Sequence, residues 1–246
     1  MRLTTSDVVI TTSEVVNGGT DWEAKARRRG ISLYTAWMAR GKFIVVEGGD
    51  GSGKDTQIEF LQKALAGVQV VYTKEPGGTK LGKTLREILL GQEYQPLAFE
   101  TEALLFLADR AEHMDKVVEP ALAAGKHVIS NRSWFSFVAY QIYGRKGQVL
   151  EPLVKMAHET IYKGAEPDAV ILLDLPVEVT LQRIKDRNKP ITSIEAEPKE
   201  FHERVRQGFL EVVKSAKGSL IVDGTKSPEE IHAEVMRHLE PILDLA

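Results

Sequence analysis

Residues 43–57 read FIVVEGGDGSGKDTQ: an apolar run, a glycine-rich loop and then a lysine. Phe43 to Val46 has the β-branched character of a buried parallel strand. From Lys54 onward Ile58, Leu61 and Leu65 repeat at helical spacing. Gly48 and Gly53 bracket four residues ahead of Lys54, the spacing of a phosphate-binding P-loop. Such a loop presents backbone N–H groups and a helix N-terminus to phosphate, while its lysine reaches the β- and γ-oxygens. Glycines let the backbone approach closely and take positive φ at no steric cost. With a strand before, a helix after and a lysine in register, Gly48, Gly49, Asp50, Gly51, Ser52, Gly53, Lys54, Asp55 and Thr56 are assigned to nucleotide binding. One position departs from the pattern: the Ser or Thr that holds Mg²⁺ in such loops is Asp55, which makes Asp55 the candidate metal ligand.

The chain has 246 residues, enough for one large α/β domain. Its apolar content of 43% and charged content of 27% suit a globular protein. A net charge of −3 argues against bulk electrostatic binding to nucleic acid or anionic membrane. The absence of cysteine excludes disulfides, thiolate zinc sites and a cysteine nucleophile, and fits a cytoplasmic location. No apolar run approaches the roughly 20 residues of a membrane helix.

Beyond the loop, strand and helix patterns alternate. Strands are expected at 68–73, 127–130, 169–175 and 220–222, with helices at 79–90, 101–124, 134–143, 150–162, 176–187 and 199–216. The 101–124 helix is expected to bury Leu104, Leu105 and Ala108. Ser227-Pro228-Glu229-Glu230 is a capping box opening a last helix. Five strands separated by helices predict a P-loop-type α/β fold, a five-stranded parallel sheet with helices on both faces and ligands at the strands' C-terminal ends. Residues 1–40 differ in character from the rest and read as a disordered N-terminal extension; 41–246 are expected to form the P-loop domain.

The body resembles the thymidylate kinases. The motifs that carry this are EGGDGSGK at 47–54, EPGGT at 75–79, LLFLADRAEH at 104–113, GKHVISNR at 125–132, SFVAYQ at 136–141, PD and LDLPVEV within 167–179, and FHERVRQGF at 201–209. The resemblance implies ATP- and Mg²⁺-dependent phosphorylation of dTMP by a homodimer that pairs through its long helices. It implies Lys54 and Arg132 as catalytic residues, with Arg132 bridging donor and acceptor phosphates. It places Phe106 on the pyrimidine face, Arg110 on a base carbonyl, Tyr140 against the sugar 2′ position and Asp50 on the 3′-hydroxyl. Ser136 joins the acceptor site. Lys74 stands where the family usually has an arginine holding the acceptor phosphate; it keeps the charge and loses the bidentate fork.

Three departures stand out. Asn131-Arg132-Ser133 replaces the usual Asp-Arg-Tyr, Thr192-Ser193 replaces the lid's Asp-Arg, and Asp55 replaces the loop hydroxyl. With glycine at 51 the family tends to supply a lid arginine, for which Arg183, Lys185, Arg187 and Lys189 are nearest and Arg187 is chosen. The rival readings are a kinase of another deoxynucleoside monophosphate or of a deoxynucleoside, and a nucleotide-binding protein without turnover. EPGG favours a monophosphate acceptor, because a nucleoside needs no phosphate-holding loop.

Overall fold

The protein's structure is a computed structural model that describes residues 40–162, 164–187 and 189–245. The expected extension, apart from Arg40, lies outside the described residues. Five strands, β1 (Phe43–Glu47), β2 (Val70–Lys74), β3 (His127–Asn131), β4 (Ala169–Asp174) and β5 (Ser219–Asp223), form one sheet in the order β2-β3-β1-β4-β5. All four pairings are parallel. The expected sheet is therefore present, with β1 at its centre.

Alternation along β1 explains why helices cover both faces. Phe43 and Val45 point into a cluster with Ala103 and Leu107 of α3 (Phe99–His113). Ile44 and Val46 join Leu61 of α1 (Lys54–Ala64) and Ile231 and Val235 of α9 (Pro228–Leu239). A third cluster sets Val170 and Leu172 of β4 against Phe201, Val205 and Phe209 of α8 (Lys199–Val213). The capping box at Ser227 forms as expected, with the Ser227 hydroxyl and the Glu230 carboxylate each taking the other's backbone N–H.

The long helix differs from its expectation. It starts at Phe99, widens into a π-helical turn over Met114–Val118 and ends as α4 (Glu119–Ala123). Pro120, inside that last stretch, has no N–H to donate to the preceding turn, and the helix loosens just before it. Leu104 is 52% exposed and Ala108 is also exposed, so the expected inward face is wrong. The buried face carries Ala103, Leu107, Arg110 and Met114. Charged groups at Glu102, Asp109, Arg110 and His113 go inward because each finds a partner there.

α2 (Lys80–Leu90) follows β2, capped by the Thr79 hydroxyl accepting from the Gly82 N–H. α5 (Trp134–Phe137) leads into a π-helical stretch, Val138–Gly144, then α6 (Glu151–Tyr162). α7 (Val177–Asp186) lies across the P-loop, with a Pro176 N-cap.

Candidate active site

The site collects at the C-terminal ends of the three adjacent strands β2, β3 and β1. Each strand ends in a turn that carries residues expected in the site: EPGG after β2, Arg132 after β3 and the P-loop after β1. Gly51 has φ +77, and a Cβ there would sit 2.8 Å from the Thr180 carbonyl of α7. Positive φ and the close helix both require glycine at that position.

Within the P-loop, the Lys54 ammonium donates to the carbonyls of Gly48 (2.9 Å) and Gly49 (2.7 Å) and to Ser52 Oγ (3.2 Å). Burial, reinforced by the charge of Arg132, lowers its pKa to about 7. Arg132 is one of three described non-glycine residues with positive φ, at +73. That conformation is sparsely populated for a residue with a side chain. It turns the guanidinium back over the P-loop, where Nη1 donates to the Gly48 carbonyl (3.0 Å) and Ser136 Oγ (2.9 Å) and Nη2 to Asp50 Oδ1 (2.6 Å). Burial opposes the Arg132 charge, and its neighbours Tyr140, Asp50 and Glu47 outweigh burial and raise its pKa. The Tyr140 hydroxyl donates to Asp50 Oδ2 (2.8 Å). Burial alone would raise the Asp50 pKa; the charges of Arg132 and Lys54 and the Tyr140 hydroxyl overcome it and hold it down at about 2. Asp50, Arg132, Ser136 and Tyr140, spread over 90 residues of sequence, thus meet at one point.

Glu47 explains how the turn after β3 is held, and sequence reading passed over it. Its fully buried carboxylate accepts from the Ser133 N–H (2.8 Å), the Ser136 N–H (3.2 Å) and Ser136 Oγ (2.6 Å). It anchors the N-terminus of α5, which fixes Arg132 and Ser136 together. Burial, its largest influence, raises its pKa. A glutamate placed after an otherwise wholly apolar strand run was the available signal.

On α3, Arg110 is 3% exposed. Its Nε (2.8 Å) and Nη2 (2.7 Å) bond to Glu75 Oε2, and its Nη1 is buried with no hydrogen-bond partner among the described residues. The guanidinium carbon lies 5.5 Å from the Trp134 ring and 5.6 Å from that of Phe137. Phe106, one turn earlier on α3, is half-buried against the cluster that includes both rings. The Asp109 carboxylate accepts from the Gly77 N–H at 3.0 Å, tying EPGG to α3. Arg86 of α2, also missed in the sequence, donates to the Pro76 carbonyl at 3.0 Å. Asp50 and Asp55 lie within electrostatic reach of its charge. Lys74 is exposed at the end of β2, in register with Asn131 of β3.

Asp55 and Asn131 face one another: Asn131 Nδ2 donates to Asp55 Oδ1 at 2.7 Å. Asp55 and Thr56 are exposed in the first turn of α1. A solvent-open carboxylate, a hydroxyl and an amide carbonyl at the phosphate loop form a hard-oxygen set that fits Mg²⁺, which keeps several waters and takes its other ligands from phosphate.

The segment that follows α7 is tied to its neighbours. Arg187 pairs with Glu195, and its Nε is buried without a partner among the described residues. Ser193 Oγ donates to the Leu89 carbonyl (3.0 Å) and its N–H to that of Leu90 (3.3 Å), at the end of α2. Glu197 pairs with Arg145. Arg183 donates to the Gly224 carbonyl at 3.3 Å.

The family model "Thymidylate kinase" matches residues 46–235. The chain is 45% identical over 203 residues to a thymidylate kinase of Carboxydothermus hydrogenoformans, covering 82% of this chain and 98% of that one. It is 41% identical over 208 residues to the enzyme of Pelotomaculum thermopropionicum (83% and 95% covered) and 45% identical over 208 residues to that of a Synechococcus strain (83% and 97%). On the match from Val46 to Val235, and on relatives at this identity covered almost end to end, the chain belongs to the thymidylate kinase family.

Proposed function

We propose that this protein transfers the γ-phosphoryl group of ATP to dTMP, releasing dTDP and ADP, with Mg²⁺ as the metal. Membership of its family makes it a phosphotransferase. An oxygen of the acceptor 5′-phosphate attacks the γ-phosphorus as the bond to the β–γ bridging oxygen breaks. Such a reaction asks the protein for alignment and charge neutralisation, not for a covalent intermediate.

Lys54 and Arg132 are the groups assigned to that charge. Both now donate to P-loop carbonyls, and exchanging those carbonyls for phosphate oxygens brings them to the β- and γ-phosphates and the acceptor phosphate. Asp50 takes the sugar 3′-hydroxyl in place of part of its present bonding to Arg132 and Tyr140, and Tyr140 fills the 2′ side. Lys74 and Arg86 supply further positive charge toward the acceptor phosphate. Asp55, with Asn131 beside it, would hold Mg²⁺, which would supply neutralising positive charge at the phosphates.

The observation that carries the acceptor reading is the unpartnered Nη1 of Arg110. A buried guanidinium N–H without a partner costs about 1–3 kcal/mol. A pyrimidine carbonyl stacked on Phe106 would satisfy it, because i and i+4 project from one helix face. The test is coupled detection of ADP release with each nucleoside monophosphate and deoxynucleoside in turn. dTMP is expected to give the highest kcat/KM; faster turnover of a purine monophosphate or of an unphosphorylated nucleoside would overturn the reading.

Pairing of two chains is assigned to α3 and the adjoining α6, where Leu104 and Met156 (59%) are exposed. Light scattering should give twice the chain mass, and Leu104→Glu should lower it.

A further inference from the structure

Behind the acceptor site runs a chain of buried polar groups that stops short of any substrate. Thr73 Oγ1 lies 2.7 Å from His113 Nε2, His113 Nδ1 lies 2.8 Å from Glu75 Oε1, and Glu75 Oε2 takes both Nε and Nη2 of Arg110. The His113 side chain is fully buried and that of Glu75 is 4% exposed. The EPGG loop is built around the ring: a Cβ on Gly78 would come 2.5 Å from His113 Cδ2.

We propose that His113 is a positioning residue for selection of the acceptor base, fixing through Glu75 the rotation of the Arg110 guanidinium and hence the direction of its free Nη1. The proposal rests on the assignment of Arg110 to a base carbonyl.

The chemistry of each link sets the next. Burial alone would raise the Glu75 pKa; the Arg110 charge and the His113 hydrogen bond reverse that and lower it, so the carboxylate is ionised and only accepts. His113 Nδ1 must therefore carry a proton. Its Nε2 is then left facing the Thr73 hydroxyl, 2.7 Å away. A carboxylate alone would not hold the guanidinium in one pose, since the terminal torsion of a glutamate is broad. With Oε1 engaged by His113, Oε2 stays facing Arg110, and two of the guanidinium's three nitrogens are committed. The third is left as a donor of fixed direction. A carbonyl at the pyrimidine 4-position suits it, while an amino group there would set donor against donor.

The experiment compares kcat/KM for dTMP and dCMP in variants of the intact protein. His113→Gln puts its amide near the Nε2 position, keeping a partner for Thr73 and losing the Glu75 bond. His113→Asn puts its amide near Nδ1 and keeps that bond. The Gln variant should lose about tenfold in the dTMP/dCMP ratio, the order of one charge-assisted hydrogen bond. The loss should fall on KM for dTMP and leave KM for ATP unchanged, and Asn should restore the ratio to within about threefold. A Gln variant whose ratio equals the wild type, with both acceptors weakened alike, would overturn the proposal and leave the network a structural ion pair. Arg110→Gln separates the two layers. If it keeps the ratio, the assignment of Arg110 has failed and His113 falls with it. If it abolishes the ratio while His113→Gln does not, only the His113 role has failed. Should the His113 variants not fold, Thr73→Val removes one hydroxyl at constant shape. It should lower the ratio about threefold, and an unchanged ratio would overturn the proposal.

Discussion

Substituting Asn131→Asp would place a second carboxylate opposite Asp55, where an amide now donates across 2.7 Å. Two unit charges at that separation repel by about 1.5 kcal/mol in water and about 6 kcal/mol at an effective dielectric of 20. Asp55 is exposed, so solvent screening brings the cost near the lower figure. Loss of the amide hydrogen bond adds about 1 kcal/mol. The metal-free variant should therefore be about 2–3 kcal/mol less stable, a fall in Tm of about 4–12 °C for a chain of this size.

Asp55→Thr alone removes a carboxylate from an exposed first turn and should shift Tm by much less. It should, however, weaken the Mg²⁺-dependent part of ATP binding, because it removes the carboxylate proposed to hold the metal. The double variant restores one carboxylate beside one hydroxyl, on opposite sides. If the pair acts as one unit, the double variant should regain most of the Tm lost by Asn131→Asp. It should also regain most of the Mg²⁺-dependent stabilisation by ATP lost in Asp55→Thr. Thermal unfolding in EDTA, in Mg²⁺ alone and in Mg²⁺ with ATP measures both corners of the cycle without relying on turnover. Strictly additive losses, or a metal-free Tm for Asn131→Asp equal to the parent's, would refute the reasoning.

Lys54, held near pKa 7 by burial and by the charge of Arg132, should be raised by phosphate oxygens, so ATP binding at pH 8.5 should take up about one proton. Calorimetry in buffers of different ionisation heat measures this, and zero uptake would contradict it. Burial pushes the Asp109 carboxyl up to about 6. A group raised in the folded state contributes stability below its unfolded pKa, near 3.8, and loses it as pH rises through 6. Asp109→Asn should thus gain Tm relative to the parent as pH goes from 4 to 7; a constant difference would count against the shift. Phe106→Ala should weaken dTMP binding by about 1–3 kcal/mol, the range for a base stacked on an aromatic ring, with ATP binding unaffected in titration calorimetry.

The sequence was most legible where local geometry and function demand the same residues. The P-loop needs glycine at positive φ and a lysine at fixed spacing, and β4 needs a continuous apolar run, so both are visible in one window. The inward face of α3 was not. Leu104, Leu105 and Ala108 look like a core stripe, yet Leu104 and Ala108 face outward while Asp109, Arg110 and His113 are buried. Their partners, Gly77 and Glu75, lie more than 30 residues away, and no periodicity records such pairing. Glu47 and Arg86 were missed for the same reason: each is defined by what the fold brings to it. The widened turns before Pro120 and through Val138–Gly144 were also hidden, since a π turn leaves the apolar spacing nearly intact.

The state of the cations suggests how this site meets its substrates. Lys54 and Arg132 are paired with the loop's own carbonyls, and Arg132 also with Asp50. Left unpaired at this depth, each would cost several kcal/mol. Internal pairing keeps the loop folded around its charges. Binding then becomes an exchange of partners, in which every bond made to phosphate is offset by one broken to a carbonyl or carboxylate. Net affinity for the donor should accordingly fall well below the sum of its ionic interactions. The groups released by that exchange, the Asp50 carboxylate and the Tyr140 hydroxyl, are the two assigned to the acceptor sugar. Arg132 moving toward phosphate frees Asp50, so donor binding should tighten acceptor binding and the reverse by the same factor. Asp50→Asn, which weakens the hold on Arg132 before phosphate arrives, should shrink that factor toward one. Titrations of dTMP with and without a non-hydrolysable ATP analogue measure it, and a coupling unchanged by Asp50→Asn would show that the two sites fill independently of this exchange.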